Sequence, residues 1–313
     1  MKAVFLDAGT FSKELSLPAP DGITDYVVYD ATNNDTDQII KRCQDAQIII
    51  TNKVLLTRDV ISKLPDLRLI QLTATGMNNV DQAACEEYGV TLYNVAGYSV
   101  ASVPEHTFML MLAVMRAGSY YHRVATDGTW QADGRFCLLN EPIFDLNGRT
   151  LGIIGAGNIG RRVGEIAKVF GMTVLYAEHQ DKAPRNTDYT AFDEVLANSD
   201  IISLHCPLTD ATAHLINDQT IAKMIKKPLI INVARGGVVD GASIVTAVQN
   251  GRILGYASDV FENEPFADDD ALLSIKDHPR VLFTPHNAWG SLAAQSRLWG
   301  ILCEQVSCFI QSH

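Results

Sequence analysis

The sequence predicts an α/β protein of two doubly wound parallel-sheet domains, and three observations carry that prediction. Short apolar runs alternate with helix-patterned segments from the first residues onward, the pattern of strands joined by crossover helices. Residues 150–178, TLGIIGAGNIGRRVGEIAKVFGMTVLYAE, read as strand, glycine turn, helix and strand. The stretch before them has the same alternation but no such turn of its own, so it forms a separate domain.

In chain order, strands are expected at 3–6, 26–29, 47–50, 69–72 and 90–95, with helices near 35–44, 57–64 and 80–88. Ser102-Val-Pro-Glu105 then reads as a capping box with proline in the first helical turn, ahead of the apolar stretch 108–115. This helix leads from one domain to the next. Residues 117–147 are less periodic and carry Tyr120, Tyr121, Trp130 and Phe136. They read as an arm whose aromatics suit a subunit interface. After residue 150, further strands are expected at 174–176, 201–204, 229–233, 255–258 and 281–284, and 291–309 reads as a helix that packs back on the first domain. The expected division is therefore a discontinuous substrate (outer) domain, 1–98 plus 288–313, and an inserted nucleotide domain, 99–287. The cleft between two such domains is the natural place for a substrate.

Within 150–178 each glycine has a physical task. Gly155 makes the tight turn, Gly157 lets the backbone approach a pyrophosphate, and Gly160 lets the helix pack close to the strand. The helix N-terminus offers unpaired N–H groups and the positive end of its dipole to phosphates. Glu178 ends the second strand about 20 residues on, where a carboxylate accepts from ribose hydroxyls. It would repel a 2′-phosphate, which favours NAD (NADH). NADP stays open, because His179, Lys182 and Arg185 follow closely and can meet such a phosphate.

The whole-chain balance narrows the partners. A chain of 313 residues with 47% hydrophobic content is long enough for two full cores. A net charge of −11 leaves no basic footprint for nucleic acid or an acidic membrane surface. No apolar run approaches a membrane span, and MKAVFLDAG enters a strand at once, without the features of a signal peptide. Cys43, Cys85, Cys137, Cys206, Cys303 and Cys308 show no CxxC or zinc spacing; they read as reduced, mostly buried thiols of a cytoplasmic protein.

Three residues suited to carbonyl reduction fall at the ends of later strands: Arg235 in INVARGG, Glu264 in DVFENEP and His286 in TPHNAW. Ligands bind beyond the carboxyl ends of strands in a doubly wound sheet. An arginine fork holds a carboxylate and polarises the adjoining ketone. A histidine delivers a proton as hydride arrives, and a neighbouring carboxylate favours its charged form and sets its tautomer. Singly, Arg235 reads as a strand-to-loop charge, Glu264 as a solvated loop acid and His286 as a structural histidine; their combination downstream of the glycine turn favours the chemical reading. His205 and His106 read as structural. Asp268, Asp269 and Asp270 are consecutive, so their side chains diverge and no metal site is expected; Cys206 has no activating base in sequence and does not read as a nucleophile.

The motifs LGIIGAGNIG, HCPLTDAT, INVARGG, ASDVFENEP and TPHNAW, in this order and spacing, closely resemble the D-isomer-specific 2-hydroxyacid dehydrogenases over nearly the whole chain. TATGMNNVD and YNVAGYSVASVPEHTF resemble the glycerate dehydrogenase, or hydroxypyruvate reductase, branch. The resemblance implies a Rossmann NAD-binding domain inserted into a flavodoxin-like substrate domain and, with the aromatics of the 117–147 arm, a homodimer. It implies that Arg235 binds the substrate carboxylate and carbonyl and that His286 is the acid/base paired with Glu264. It places Asp259 near the nicotinamide, lines the cofactor with Asn158, Ile159, Cys206, Pro207, Thr212, Val233 and Ala234, and gives the substrate the turn Thr75, Gly76, Met77 and the wall of Trp289. A glycine-bearing turn can form a small anion nest. Glu178 stands where many relatives carry aspartate, and Met77 stands where a smaller polar residue is expected, which bears on substrate size.

The expected activity is NADH-dependent reduction of a short 2-oxo acid, hydroxypyruvate or glyoxylate for preference, to the D-2-hydroxy acid. One alternative is a dehydrogenase of the same fold for a branched, aromatic or phosphorylated 2-oxo acid; Lys53 and Arg58 are the upstream cations a phosphate would need. Another is an NAD-sensing binding protein, since fold alone does not give activity; the complete Arg235, Glu264, His286 set argues against it.

Overall fold

Ile48, Ile49 and Ile50 have no polar side to give to water, and each is fully buried. That is the environment of a central strand in a parallel sheet covered on both faces. The computed structural model describes residues 1–312 and contains two such sheets, every pairing in them parallel. They belong to two units: Met1–Ser99 with Trp289–His313, of which His313 lies outside the described residues, and Val100–Ala288.

The first unit holds strands β1 (Lys2–Phe5), β2 (Asp25–Val28), β3 (Ile48–Thr51), β4 (Leu69–Leu72) and β5 (Thr91–Tyr93), in the order β2-β1-β3-β4-β5. Side chains alternate across it. Val4, Ile49 and Ile70 face the helices Thr36–Cys43, Arg58–Ile61 and Gln82–Tyr88, through Ile39, Val60 and Ala84. Two of these helices start at aspartate caps, Asp35 accepting from the Gln38 N–H at 2.7 Å and Asp81 from Ala84 at 2.9 Å. Phe5, Ile48, Ile50 and Leu69 face the other way, onto Leu298, Trp299, Leu302 and Val306 of the C-terminal helix Leu292–Ser312. Each fully buried Leu or Ile of this kind contributes about 2 kcal/mol.

The second unit carries β6 (Thr150–Ile154), β7 (Thr173–Ala177), β8 (Tyr189–Thr190), β9 (Ile201–Leu204), β10 (Leu229–Asn232), β11 (Gly255–Ser258) and β12 (Val281–Phe283), in the order β12-β11-β10-β9-β6-β7-β8. The order reverses between β6 and β9, so the crevice beyond their carboxyl ends is the switch point where this architecture holds ligands. The helix Asn158–Val169 covers one face with Val163 and Ala167, joined by Leu110, Met111 and Val114 of the helix Ser102–Met115.

Three expectations need correction, and some elements went unpredicted. The helix Ser102–Met115 has no capping box, because its N-cap is Ala101 and Ser102 already lies in the first turn, where its hydroxyl donates to the Ala288 carbonyl at 2.6 Å. The expected irregular arm contains the helices Gly118–Thr126 and Thr129–Asp133. The short β8 and the helices Phe192–Asn198, Asp218–Ile221 and Gly241–Gln249 were not foreseen. Of the cysteines only Cys43, Cys85 and Cys206 are buried, while Cys137 and Cys308 are exposed. No helix among the described residues is long and apolar enough to cross a membrane.

Candidate active site

At the end of β6 the chain turns through Gly155 at φ +101°, where a side chain is strained. A Cβ there would also meet the Cys206 nitrogen at 2.5 Å, on the loop that follows β9. At Gly160 a Cβ would come within 2.1 Å of the Gly155 carbonyl oxygen, so only glycine lets this helix lie so near its strand. Gly157, the N-cap, faces open space and supplies no side-chain cap to the N–H groups of the first turn, where Asn158 and Ile159 lie. Unfilled donors around an open backbone cradle fit a pyrophosphate.

Glu178 follows β7, and the surroundings of its buried carboxylate are unlike those the sequence suggests. Oε2 accepts from Arg185 Nε at 2.7 Å and from the Arg185 backbone N–H at 2.9 Å. Oε1 accepts from His179 N–H at 2.8 Å and from Arg185 Nη2. The Arg185 guanidinium, ahead of the His179 N–H, holds this carboxyl well below its ordinary range. Arg185 also lies 4.5 Å over the Tyr189 ring. A ribose reaching Glu178 therefore meets a carboxylate whose charge is already paired.

The remaining cofactor candidates gather at neighbouring strand ends. Cys206 follows β9 by two residues, and burial pushes its thiol up to about 11, away from the thiolate that a nucleophile needs. His205 beside it is half-buried, and desolvation pushes its ring down to about 3, with Nε2 at 2.8 Å from the Ser203 hydroxyl and no partner at Nδ1. The Thr212 hydroxyl donates to the Pro207 carbonyl at 2.6 Å, closing that loop on itself. Val233 and Ala234 follow β10, with Ala234 N–H donating to Asn232 Oδ1 at 3.0 Å.

The three chemical candidates extend from adjacent strands β10, β11 and β12. Arg235 donates from Nη1 to the Ala234 carbonyl at 2.7 Å. His286 Nδ1 lies 2.6 Å from Glu264 Oε2, and Glu264 Oε1 accepts from the Phe261 N–H at 2.9 Å. One carboxylate thus joins the loop after β11 to the histidine after β12. Gly236 is needed where these loops cross, since a Cβ would sit 1.9 Å from the Phe261 carbonyl carbon. Both oxygens of buried Asp259 turn toward the His286 segment: Oδ1 accepts from the Thr284 hydroxyl at 2.6 Å and the Asn287 N–H at 3.0 Å, and Oδ2 from the Ala288 N–H at 2.9 Å. Thr284 was not singled out from sequence, although its place at the strand end two residues before His286 is a signal that could have found it.

In the first unit the turn after β4 is tied down by its own neighbours. The Thr75 hydroxyl donates to the Val95 carbonyl at 2.9 Å, and Asn94 Nδ2 donates to the Thr75 carbonyl at 2.7 Å. Met77, after Gly76, is partly buried against the Ile70 side of the core. Trp289 packs edge-on against Phe11 and Tyr98, with ring centroids 6.0 and 6.1 Å away. Asp270, in the acidic run, accepts from the Leu272 N–H at 2.9 Å, a capping task.

Residues 108–288 match the family described as D-isomer specific 2-hydroxyacid dehydrogenase, NAD binding domain. The glycerate dehydrogenase of Methylorubrum extorquens is 36% identical over 99% of this chain and 96% of its own. The hydroxypyruvate reductase of Blautia hydrogenotrophica is 33% identical over 99% of this chain and 97% of its own. Among solved structures, D-lactate dehydrogenase from Aquifex aeolicus, complexed with NAD and lactic acid, aligns with a TM-score of 0.80 at 28% identity, covering 99% of this chain and 96% of that one.

Proposed function

This chain belongs to the D-isomer specific 2-hydroxyacid dehydrogenases, oxidoreductases with an NAD-binding domain, and we propose that it reduces a short 2-oxo acid, hydroxypyruvate or glyoxylate, to the D-2-hydroxy acid with NADH. The observation that carries the reading is the 2.6 Å contact between His286 Nδ1 and Glu264 Oε2, at the end of strands that follow the glycine turn. The names of the two relatives support the choice of substrate.

The dinucleotide, when bound, supplies the hydride. Gly155, Gly157 and Gly160 form the cradle for its pyrophosphate. Arg235 takes the substrate carboxylate and stabilises the charge that develops on the carbonyl oxygen. With Glu264 accepting from Nδ1–H, the proton given to the forming alkoxide leaves from Nε2 of His286, and Glu264 offsets the positive charge of the ring. Oxidation of the hydroxy acid runs the same proton in reverse, onto a neutral ring. His286→Ala should lower turnover by about 10² or more with NADH binding retained, and a variant with near-wild-type turnover would remove the assignment. Arg235→Ala should weaken both 2-oxo acid binding and rate; a loss limited to cofactor affinity would contradict its role.

One observation favours a second reading of the cofactor. Arg185 pairs with Glu178 and so supplies a cation where an adenosine 2′-phosphate would need one, which leaves NADPH as the alternative donor. We also assign the 117–147 segment to pairing of two copies, supported by the exposure of Trp130, Phe136 and Leu139. Light scattering showing a monomer at micromolar concentration would contradict it. The six unpaired cysteines support a reducing, cytoplasmic setting.

A further inference from the structure

We propose that His106 is a positioning residue for His286, acting through Thr284 and Asp259. The proposal rests on the reading of His286 as the acid/base and goes beyond it, since it explains what holds that ring in place.

His286 sits at φ +50°, in the left-handed region. For a residue other than glycine this is strained and persists only where the surroundings fix it. The chain on both sides of His286 is fixed by one carboxylate. Asp259 accepts from the Thr284 hydroxyl on one side and from the Asn287 and Ala288 N–H groups on the other. The His286 N–H itself donates to the Thr284 carbonyl at 3.0 Å. Residues 284–288 therefore form a tight arch over Asp259 with His286 inside it.

The helix Ser102–Met115 holds both feet of that arch. Ser102 and His106 lie one turn apart and share a helix face. Ser102 donates to the Ala288 carbonyl at 2.6 Å, and His106 Nε2 lies 2.9 Å from the Thr284 hydroxyl. The direction of the second bond follows from proton counting. Thr284 has one hydroxyl proton and gives it to Asp259, so its oxygen must accept from His106, which therefore carries its proton at Nε2. That N–H also lies 3.5 Å from Asp259 Oδ1. Burial favours the neutral ring, with Asp259 working the other way. A neutral, singly protonated His106 is a fixed donor at the foot of the arch, and its helix supplies none of the three residues assigned to the reacting centre.

The test compares His106→Leu, which removes the donor at similar volume, with His106→Gln, which restores an N–H near the Nε2 position, and Thr284→Val. Turnover, NADH dissociation constant and thermal midpoint are measured for each, with the ¹⁵N shifts of the His286 ring in the cofactor-free protein. We expect turnover to fall about tenfold or more in His106→Leu and in Thr284→Val, with NADH affinity within about twofold, because sub-ångström misplacement of a reacting group costs rate before it costs binding. His106→Gln should recover to within about threefold of wild type. The His286 ring shifts should move in His106→Leu and return in His106→Gln. Wild-type turnover in His106→Leu, equal impairment of the Leu and Gln variants, or a loss that tracks NADH affinity or folded fraction would each overturn the proposal. Should His106→Leu fail to fold, the Thr284→Val and Gln variants decide by the same criteria. His286→Ala separates the two levels. Full activity there removes the acid/base reading and this inference with it, whereas an inactive His286→Ala beside a fully active His106→Leu removes this inference alone.

Discussion

Glu264 lies between two loops: Oε2 is 2.6 Å from Nδ1 of His286, and Oε1 accepts from the backbone N–H of Phe261 at 2.9 Å. The backbone contact fixes the carboxylate, and the fixed carboxylate orients the ring. Glu264→Gln keeps the size of the side chain but removes the charge that balances a protonated imidazole, and its single carbonyl oxygen can accept from only one of the two donors, the His286 ring or the Phe261 N–H. Turnover should fall about 10- to 100-fold with little change in thermal midpoint, by the logic of general acid catalysis. Unchanged turnover would contradict the role of Glu264 in orienting and balancing the ring.

Gly236 separates Arg235 from that loop. A methyl group there would sit 1.9 Å from the Phe261 carbonyl carbon and 2.2 Å from the Glu262 nitrogen, both backbone atoms that cannot rotate aside. Gly236→Ala should cost about 1–3 kcal/mol or more of stability and displace Arg235 and Glu264 from each other. Calorimetry and turnover report this together; a variant with wild-type values in both would contradict the crossing of these two loops.

Arg185 offers a handle on cofactor choice. With Arg185→Ala the Glu178 carboxylate loses its paired cation and faces the adenosine ribose uncompensated. The ratio of kcat/KM for NADH over NADPH should rise about tenfold, equivalent to about 1.4 kcal/mol. A ratio that does not move would show that Arg185 takes no part in the discrimination.

The same pair gives a pH dependence. Arg185 first, and then the His179 N–H, hold the Glu178 carboxyl below its ordinary value of 4.5 in the folded chain. The lowered acid stabilises the fold at pH values above 4.5, and that contribution is lost as the pH falls below 4.5 toward the folded value. The gap in thermal midpoint between wild type and Glu178→Gln should be present at neutral pH and close progressively below 4.5. A gap that widens on acidification would contradict the pairing.

What the sequence made legible follows from local physics. The strands at 69–72, 201–204 and 255–258 match residue for residue, because segments covered on both faces read as short runs between turns. The glycine turn was legible because its φ at Gly155 and the close approach at Gly160 exclude other residues. β8 has two half-buried residues and no run to see. The helix Gly241–Gln249 lies under β-branched residues that also suit a strand, and its signal was the cap, Asp240 accepting from Ala242 N–H at 3.1 Å. The Ser-x-x-Glu pattern at 102–105 misled because the N-cap is Ala101, one residue earlier, while Ser102 lies in the first turn and bonds to Ala288, 186 residues away. His106 and Thr284 are 178 residues apart; no local pattern encodes such a contact, which only the assembled sheet brings about.

The central claim is tested most directly by consumption of reduced nicotinamide with purified protein, supplying NADH and NADPH in turn with hydroxypyruvate, glyoxylate, pyruvate and a bulky aromatic 2-oxo acid. The account predicts fastest turnover for NADH with hydroxypyruvate or glyoxylate, and formation of the D-hydroxy acid. Preference for the bulky acid would contradict the substrate assignment, and silence with every pair despite NADH binding would contradict catalysis itself.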